Sequence, residues 1–144
     1  MILNAALDLE NTAIAAYTAG AALLQGPVLA TGKLFLAQEQ EHAAGLAQAI
    51  RDLGGTPNKA KPAAAYAKGF PKLRSQKDVL RFAVDLENTA VAAYVDAIPK
   101  LSDPKLRQTA AAINTNEAEH ISVLLGALGK PPVPDAYVTG GKSS

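Results

Sequence analysis

Apolar residues recur along this chain at three- and four-residue intervals over four separate stretches, which predicts four amphipathic helices. The first covers residues 2–24, with Leu3, Leu7, Glu10, Ile14, Tyr17 and Ala21 on one stripe, and stops before Gly26-Pro27. The second runs from Leu29 to Leu53, with Phe35, Glu39, His42, Leu46 and Ala49 inward, and Gly54-Gly55 ends it. The third begins after Ser75, which suits an N-cap, and reaches Ile98 along Leu80, Val84, Glu87, Val91 and Tyr94. The fourth opens at Pro104 behind an Asp103 cap, a favoured first-turn arrangement. It continues through Leu106, Ala110, Ile113, Glu117, His120 and Leu124 to Leu128.

The stripes are apolar except where they carry glutamate and histidine. Every Glu and both His lie in two motifs that the chain uses twice. The stretch Leu7-Asp8-Leu9-Glu10-Asn11-Thr12-Ala13-Ile14-Ala15-Ala16-Tyr17 returns as Val84-Asp85-Leu86-Glu87-Asn88-Thr89-Ala90-Val91-Ala92-Ala93-Tyr94. Each copy is followed by a Glu-x-x-His element, Glu39 to His42 and Glu117 to His120. The first motif repeats after 77 residues and the second after 78, which places the odd residue in the helix-connecting turns. The pattern implies two helical hairpins related by a pseudo-twofold axis, one domain over 1–129. A long connection over 54–75, with Pro57, Pro62 and Pro71, lets the second and third helices run parallel, and a helical turn fits at Ala63–Ala67. Residues 130–144, rich in Pro, Gly and Ser, read as an extended tail.

Composition narrows the chemistry. At 144 residues the chain suits one domain with a real core, aliphatic because there is no Trp. A formal net charge of +1 is too small to argue for nucleic-acid or membrane binding, and neither is expected. The absence of Cys excludes disulfides, thiolate sites and iron–sulfur clusters. No stretch is long and apolar enough to span a bilayer, and residues 1–30 lack a basic leader pattern. The compartment stays open: cytoplasmic for a full-length chain, extracytoplasmic if a leader was removed.

Helical residues three apart lie about 60° apart around the axis, so Glu39 and His42 reach one metal from one segment, as do Glu117 and His120. Glu10 and Glu87 come singly from the other two helices. The set is two terminal glutamates (Glu10 and Glu87), two bridging glutamates (Glu39 and Glu117) and two histidines around two metal ions, as in dinuclear four-helix bundles. Oxygen-rich coordination with one imidazole per ion suits iron or manganese better than zinc or copper, and iron is the first expectation. The bland alternative is a bundle with solvated Glu and His faces, but it leaves four carboxylates on apolar stripes at a cost of several kcal/mol each.

On these residues the chain resembles the ferritin-like superfamily, especially bacterial ferritin-like domain proteins with Leu-Glu-Asn-x-Ala-x-x-x-Tyr and Gln-Glu-x-x-His patterns. The resemblance covers residues 2–129 and implies an all-α, ferritin-like four-helix bundle. It further implies a di-iron or di-manganese centre that reacts with dioxygen or peroxide. Glu10, Glu39, His42, Glu87, Glu117 and His120 match all six ligand positions, and Tyr17 and Tyr94 match the common tyrosine. No fifth helix follows residue 129, so a 24-subunit storage cage is not expected. Without Cys there is no rubredoxin-type module, which excludes a self-contained rubrerythrin-like peroxidase. Where relatives often place an acid one turn before each histidine, this chain has Gln38 and Asn116, so amide oxygens would orient the imidazoles.

Tyr17 and Tyr94 read equally as redox or hydrogen-bonding partners of the site and as aromatic core residues. Glu41 and Glu119 point about 100° away from the histidines, toward solvent or a neighbouring chain, which leaves a homodimer open. Asn11 and Asn88 suit interhelical hydrogen bonds. Two functions follow: a ferroxidase- or peroxidase-type oxidoreductase acting on dioxygen or peroxide, or a non-catalytic, stress-related metal-binding bundle. A metal-free bundle acting through its surface is a third.

Overall fold

The computed structural model describes residues 2–141, and among them there are helices and loops but no strand. Helix α1 spans Ile2–Gly20, α2 Gly26–Asp52, α3 Ala63–Ala67, α4 Gln76–Ala97 and α5 Pro104–Ala127. Short 3-10 turns, Ala21–Leu23 and Ile98–Lys100, tighten the ends of α1 and α4. The chain divides into two compact units, Met1–Val79 and Leu80–Ser144.

In the first unit α1 and α2 form a hairpin. The buried face of α1 is Leu7, Glu10, Ala13, Ala16, Tyr17 and Gly20. The expected stripe is displaced at its end: Ile14 and Ala21 are only partly buried, and the small residues Ala13, Ala16 and Gly20 face inward instead. Small side chains allow the backbones to come close, and Tyr17 then meets Phe35 of α2 edge-on, ring centroids 6.1 Å apart. On α2 the buried residues are Phe35, Glu39, Ala43, Leu46 and Ile50; Ile50 replaces the expected Ala49. After α2 the connection returns to α1. Asn4 donates from Nδ2 to the Thr56 carbonyl and accepts at Oδ1 from the Asn58 amide, and Asn58 donates to the Asp8 carboxylate.

In the second unit α4 and α5 pack through Val91, Ile121 and Leu125, with Val84 against them. Their ends follow local rules. Ser75 Oγ accepts from the Asp78 amide at 3.2 Å at the start of α4. Asp103 Oδ1 accepts from the Lys105 amide at 2.7 Å and the Leu106 amide at 3.4 Å, satisfying two amides that have no partner within the helix. The turn before α2 consists of Leu24 and Gln25, whereas the turn before α5 has Leu101, Ser102 and Asp103. The odd residue between the two motif spacings sits there. Leu24 and Leu101 are both buried, so the longer turn keeps the same apolar plug and adds a capping residue.

Candidate metal centre

Each hairpin brings its own glutamates and histidine together. Glu10 lies on the buried face of α1, midway along it, while Glu39 and His42 stand one turn apart on α2. His42 Nδ1 is 3.5 Å from Glu10 Oε2 and 3.7 Å from Glu39 Oε2. In the second hairpin His120 Nδ1 is 3.3 Å from Glu87 Oε1 on α4 and 3.5 Å from Glu117 Oε2 on its own helix. Within each trio the ligand atoms fall within 4.8 Å of one another.

All four glutamates are sealed from water, with exposures of 1, 1, 1 and 0 % for Glu10, Glu39, Glu87 and Glu117. His120 is equally buried at 1 %, but the His42 side chain keeps 12 %. Ionised carboxylates so placed are unstable by several kcal/mol unless a cation or a proton neutralises them. The spacing suits a cation. Two donors held by one first-row ion at about 2.1 Å each, at angles of 90–120°, lie about 3.0–3.6 Å apart. The imidazole–carboxylate separations of 3.3–3.7 Å overlap its upper part, and a carboxylate-rich trio with one imidazole is a normal donor set for such an ion. The residues therefore fit a metal.

The repeated motif has a local explanation as well. Thr12 donates to the Asp8 carbonyl at 2.7 Å and Thr89 to the Asp85 carbonyl at 2.8 Å, so each hydroxyl two residues past a glutamate is satisfied within its own helix. Two expectations change here. Asn88 does not bridge helices: its Nδ2 donates to the Val84 carbonyl of α4 at 2.8 Å, one turn back. Asn116 faces outward rather than supporting His120, and its Nδ2 donates to Glu119 Oε2 at 3.2 Å. The cause is direction along the helix. Asn116 and Glu119 are three residues apart on the solvent side of α5, where a polar pair forms without desolvation. Glu41 is likewise exposed.

Tyr17 and Tyr94 are both buried, at 5 and 2 %, each two turns beyond its glutamate. The edge contact with Phe35 gives Tyr17 a packing role. The C-terminal segment is the part that the sequence undersold. Residues 131–141 are non-helical as expected, yet Gly140 packs directly against α4. The Gly140-Gly141 pair was the only signal of it, and a glycine pair marks loops far more often than contacts.

Among curated proteins none matches the chain. Among solved structures, it is similar to a conserved hypothetical protein from Mycobacterium tuberculosis, with a TM-score of 0.79 and 21 % identity over 88 % of this chain and 93 % of that one. It is also similar to a ferritin-like, diiron-carboxylate protein from Bacillus anthracis, with a TM-score of 0.75 and 24 % identity over 88 % and 92 % of the two chains. A Dps mutant from Listeria innocua superposes with a TM-score of 0.77 at 15 % identity, over 92 % of this chain and 94 % of that one. At such identities the likenesses speak to the fold, which is all-α and ferritin-like. Residues 1–130 match the ferritin-like domain family, and the chain is a member of that family.

Proposed function

We propose that this protein binds two metal ions, iron in preference to manganese, and uses dioxygen or peroxide to oxidise Fe(II) or to dispose of the oxidant. The observation that carries the reading is the pair of buried donor trios, Glu10, Glu39 and His42 and Glu87, Glu117 and His120. The diiron-carboxylate description of the Bacillus anthracis structure supports it. Oxygen-rich donors with one imidazole favour iron or manganese over zinc or copper. In the arrangement that the family implies, Glu10, Glu39 and His42 with Glu87, Glu117 and His120 would hold the two ions.

Bound ions of this type supply one-electron steps that dioxygen and peroxide need in pairs. The chain's own residues prepare the ground. Burial of the carboxylates removes competing water, which strengthens their hold on a cation. The helix backbone holds Glu39 with His42, and Glu117 with His120, at a fixed one-turn spacing. Tyr17 and Tyr94 stand on the glutamate helices as candidate electron donors. The membrane plays no part in this proposal: among the described residues no helix is long and apolar enough to cross one. A homodimer is the simplest assembly compatible with it.

Metal analysis of protein loaded with Fe(II) under argon should give two ions per chain, and anomalous diffraction should place them between the glutamates. On admission of air, Fe(II) should be consumed faster than in matched buffer, with a transient visible band that His42→Ala or His120→Ala removes. Loading without accelerated oxidation would replace the oxidase by the non-catalytic metal-binding protein. No loading at saturating metal would remove both.

A further inference from the structure

The C-terminal segment is not used by the chemistry above, yet it is fastened beside one of the trios. Gly140 has φ +75°, and a Cβ there would strike the Asn88 carbonyl and the Ala92 amide and Cβ of α4. Only glycine permits both the conformation and the approach. Upstream, Pro132, Val133 and Thr139 wall a cavity of 260 Å³ whose opposite wall is Asn88 of α4 with Ala118 and Ile121 of α5. A second cavity of 590 Å³ lies along the same two helices, and the two share Asn88 and Gly140. Gly140 thus stands against Asn88 where the two cavities meet, and residues 131–139 before it are exposed. Asn88, Ala118 and Ile121 are the residues that directly follow Glu87, Glu117 and His120.

The other hairpin is fastened differently. Its return segment reaches α1 through exposed side-chain hydrogen bonds at Asn4 and Asp8 and through packing of α3 on α1. Its histidine, His42, retains 12 % exposure, while His120 has 1 %.

We propose that residues 131–141 form a clasp across α4 and α5, which makes the metal position of Glu87 and His120 the slowly exchanging one and that of Glu10 and His42 the fast one, Glu39 and Glu117 being shared. The inference rests on the metal-binding reading. For an ion to leave, a buried carboxylate must swing aside and the helices that carry the trio must part locally. A segment anchored on α4 through Gly140 adds that contact to the free energy of the opening.

The test is release of Co(II), followed by its visible absorption after addition of excess EDTA, in the full chain. The parent should release in two phases, the fast one absent in His42→Ala and the slow one absent in His120→Ala. Gly140→Ala, and separately deletion of residues 131–144, should accelerate the slow phase by about tenfold, the effect of lowering an opening free energy by about 1.4 kcal/mol. The fast phase should stay unchanged, as should both phases in Gly141→Ala, where a Cβ makes only ordinary contact. Amide hydrogen exchange in α4 and α5 should quicken in the same two variants, and circular dichroism should report intact helices. Two bound ions whose release is the same in the parent and both clasp variants would overturn the clasp and leave metal binding standing. Absence of any Co(II) binding would overturn the metal reading itself.

Discussion

At the scale of single residues, the four glutamates and two histidines are legible because they break the pattern that surrounds them. A carboxylate on an apolar stripe costs several kcal/mol when buried unless something neutralises it, so its presence there predicts a cation. The structure places each of them inside its hairpin with the histidine nitrogen 3.3–3.7 Å from the carboxylate oxygens. The same logic yields a test. Protons compete with metal for the same oxygen and nitrogen atoms, so affinity falls as pH falls. The stabilisation gained from Mn(II), read as a rise in Tm, should shrink as pH falls through about 6.5, where an ordinary imidazole takes up its proton. A rise that is the same at pH 5 and pH 8 would show that the metal sits elsewhere. Asn88 and Asn116 were misread at this scale because an amide has several partners within reach. Which one it takes depends on whether its side of the helix is dry, and sequence spacing does not say.

At the scale of elements, helix starts follow local chemistry, and those of α4 and α5 were readable to the residue, whereas α2 begins at Gly26 with Pro27 in its first turn rather than at the expected Leu29. Ser75 and Asp103 cap α4 and α5, and Pro104 occupies the first turn behind Asp103. Replacement of Asp103 by Ala should cost about 1 kcal/mol in denaturant unfolding, the usual value of an N-cap. An unchanged midpoint would mean that water replaces both hydrogen bonds. The buried faces were less exact. Ile50 rather than Ala49, and Ala13, Ala16 and Gly20 rather than Ile14 and Ala21, face inward. The 3.6-residue period sets a face only to within one position, and the partner helix then chooses among neighbours by shape. Leu125 shows what that choice is worth: it is buried at 2 % against Val91 and Ile121, so Leu125→Ala should destabilise by about 2–5 kcal/mol.

At the scale of the whole molecule, ligands that bind only the folded chain add to its stability. With metal at one hundred times its dissociation constant, one site contributes about 2.7 kcal/mol. Tm should therefore climb with added Mn(II) or Fe(II), and the climb should vanish in a Glu39→Ala, Glu117→Ala double variant. An equal climb in variant and parent would assign the effect to other residues. The helices, their order and the candidate ligands were determined by the sequence alone, because helix period, capping residues and one-turn spacings are local properties that a few neighbouring residues specify. Only the tertiary structure decided that His42 keeps contact with solvent while His120 does not, and that Gly140 lies against α4 beside Asn88. Those features depend on which surfaces meet after the chain folds back on itself, and residues such as Asn88 and Gly140, far apart in sequence, carry no pattern that announces their contact.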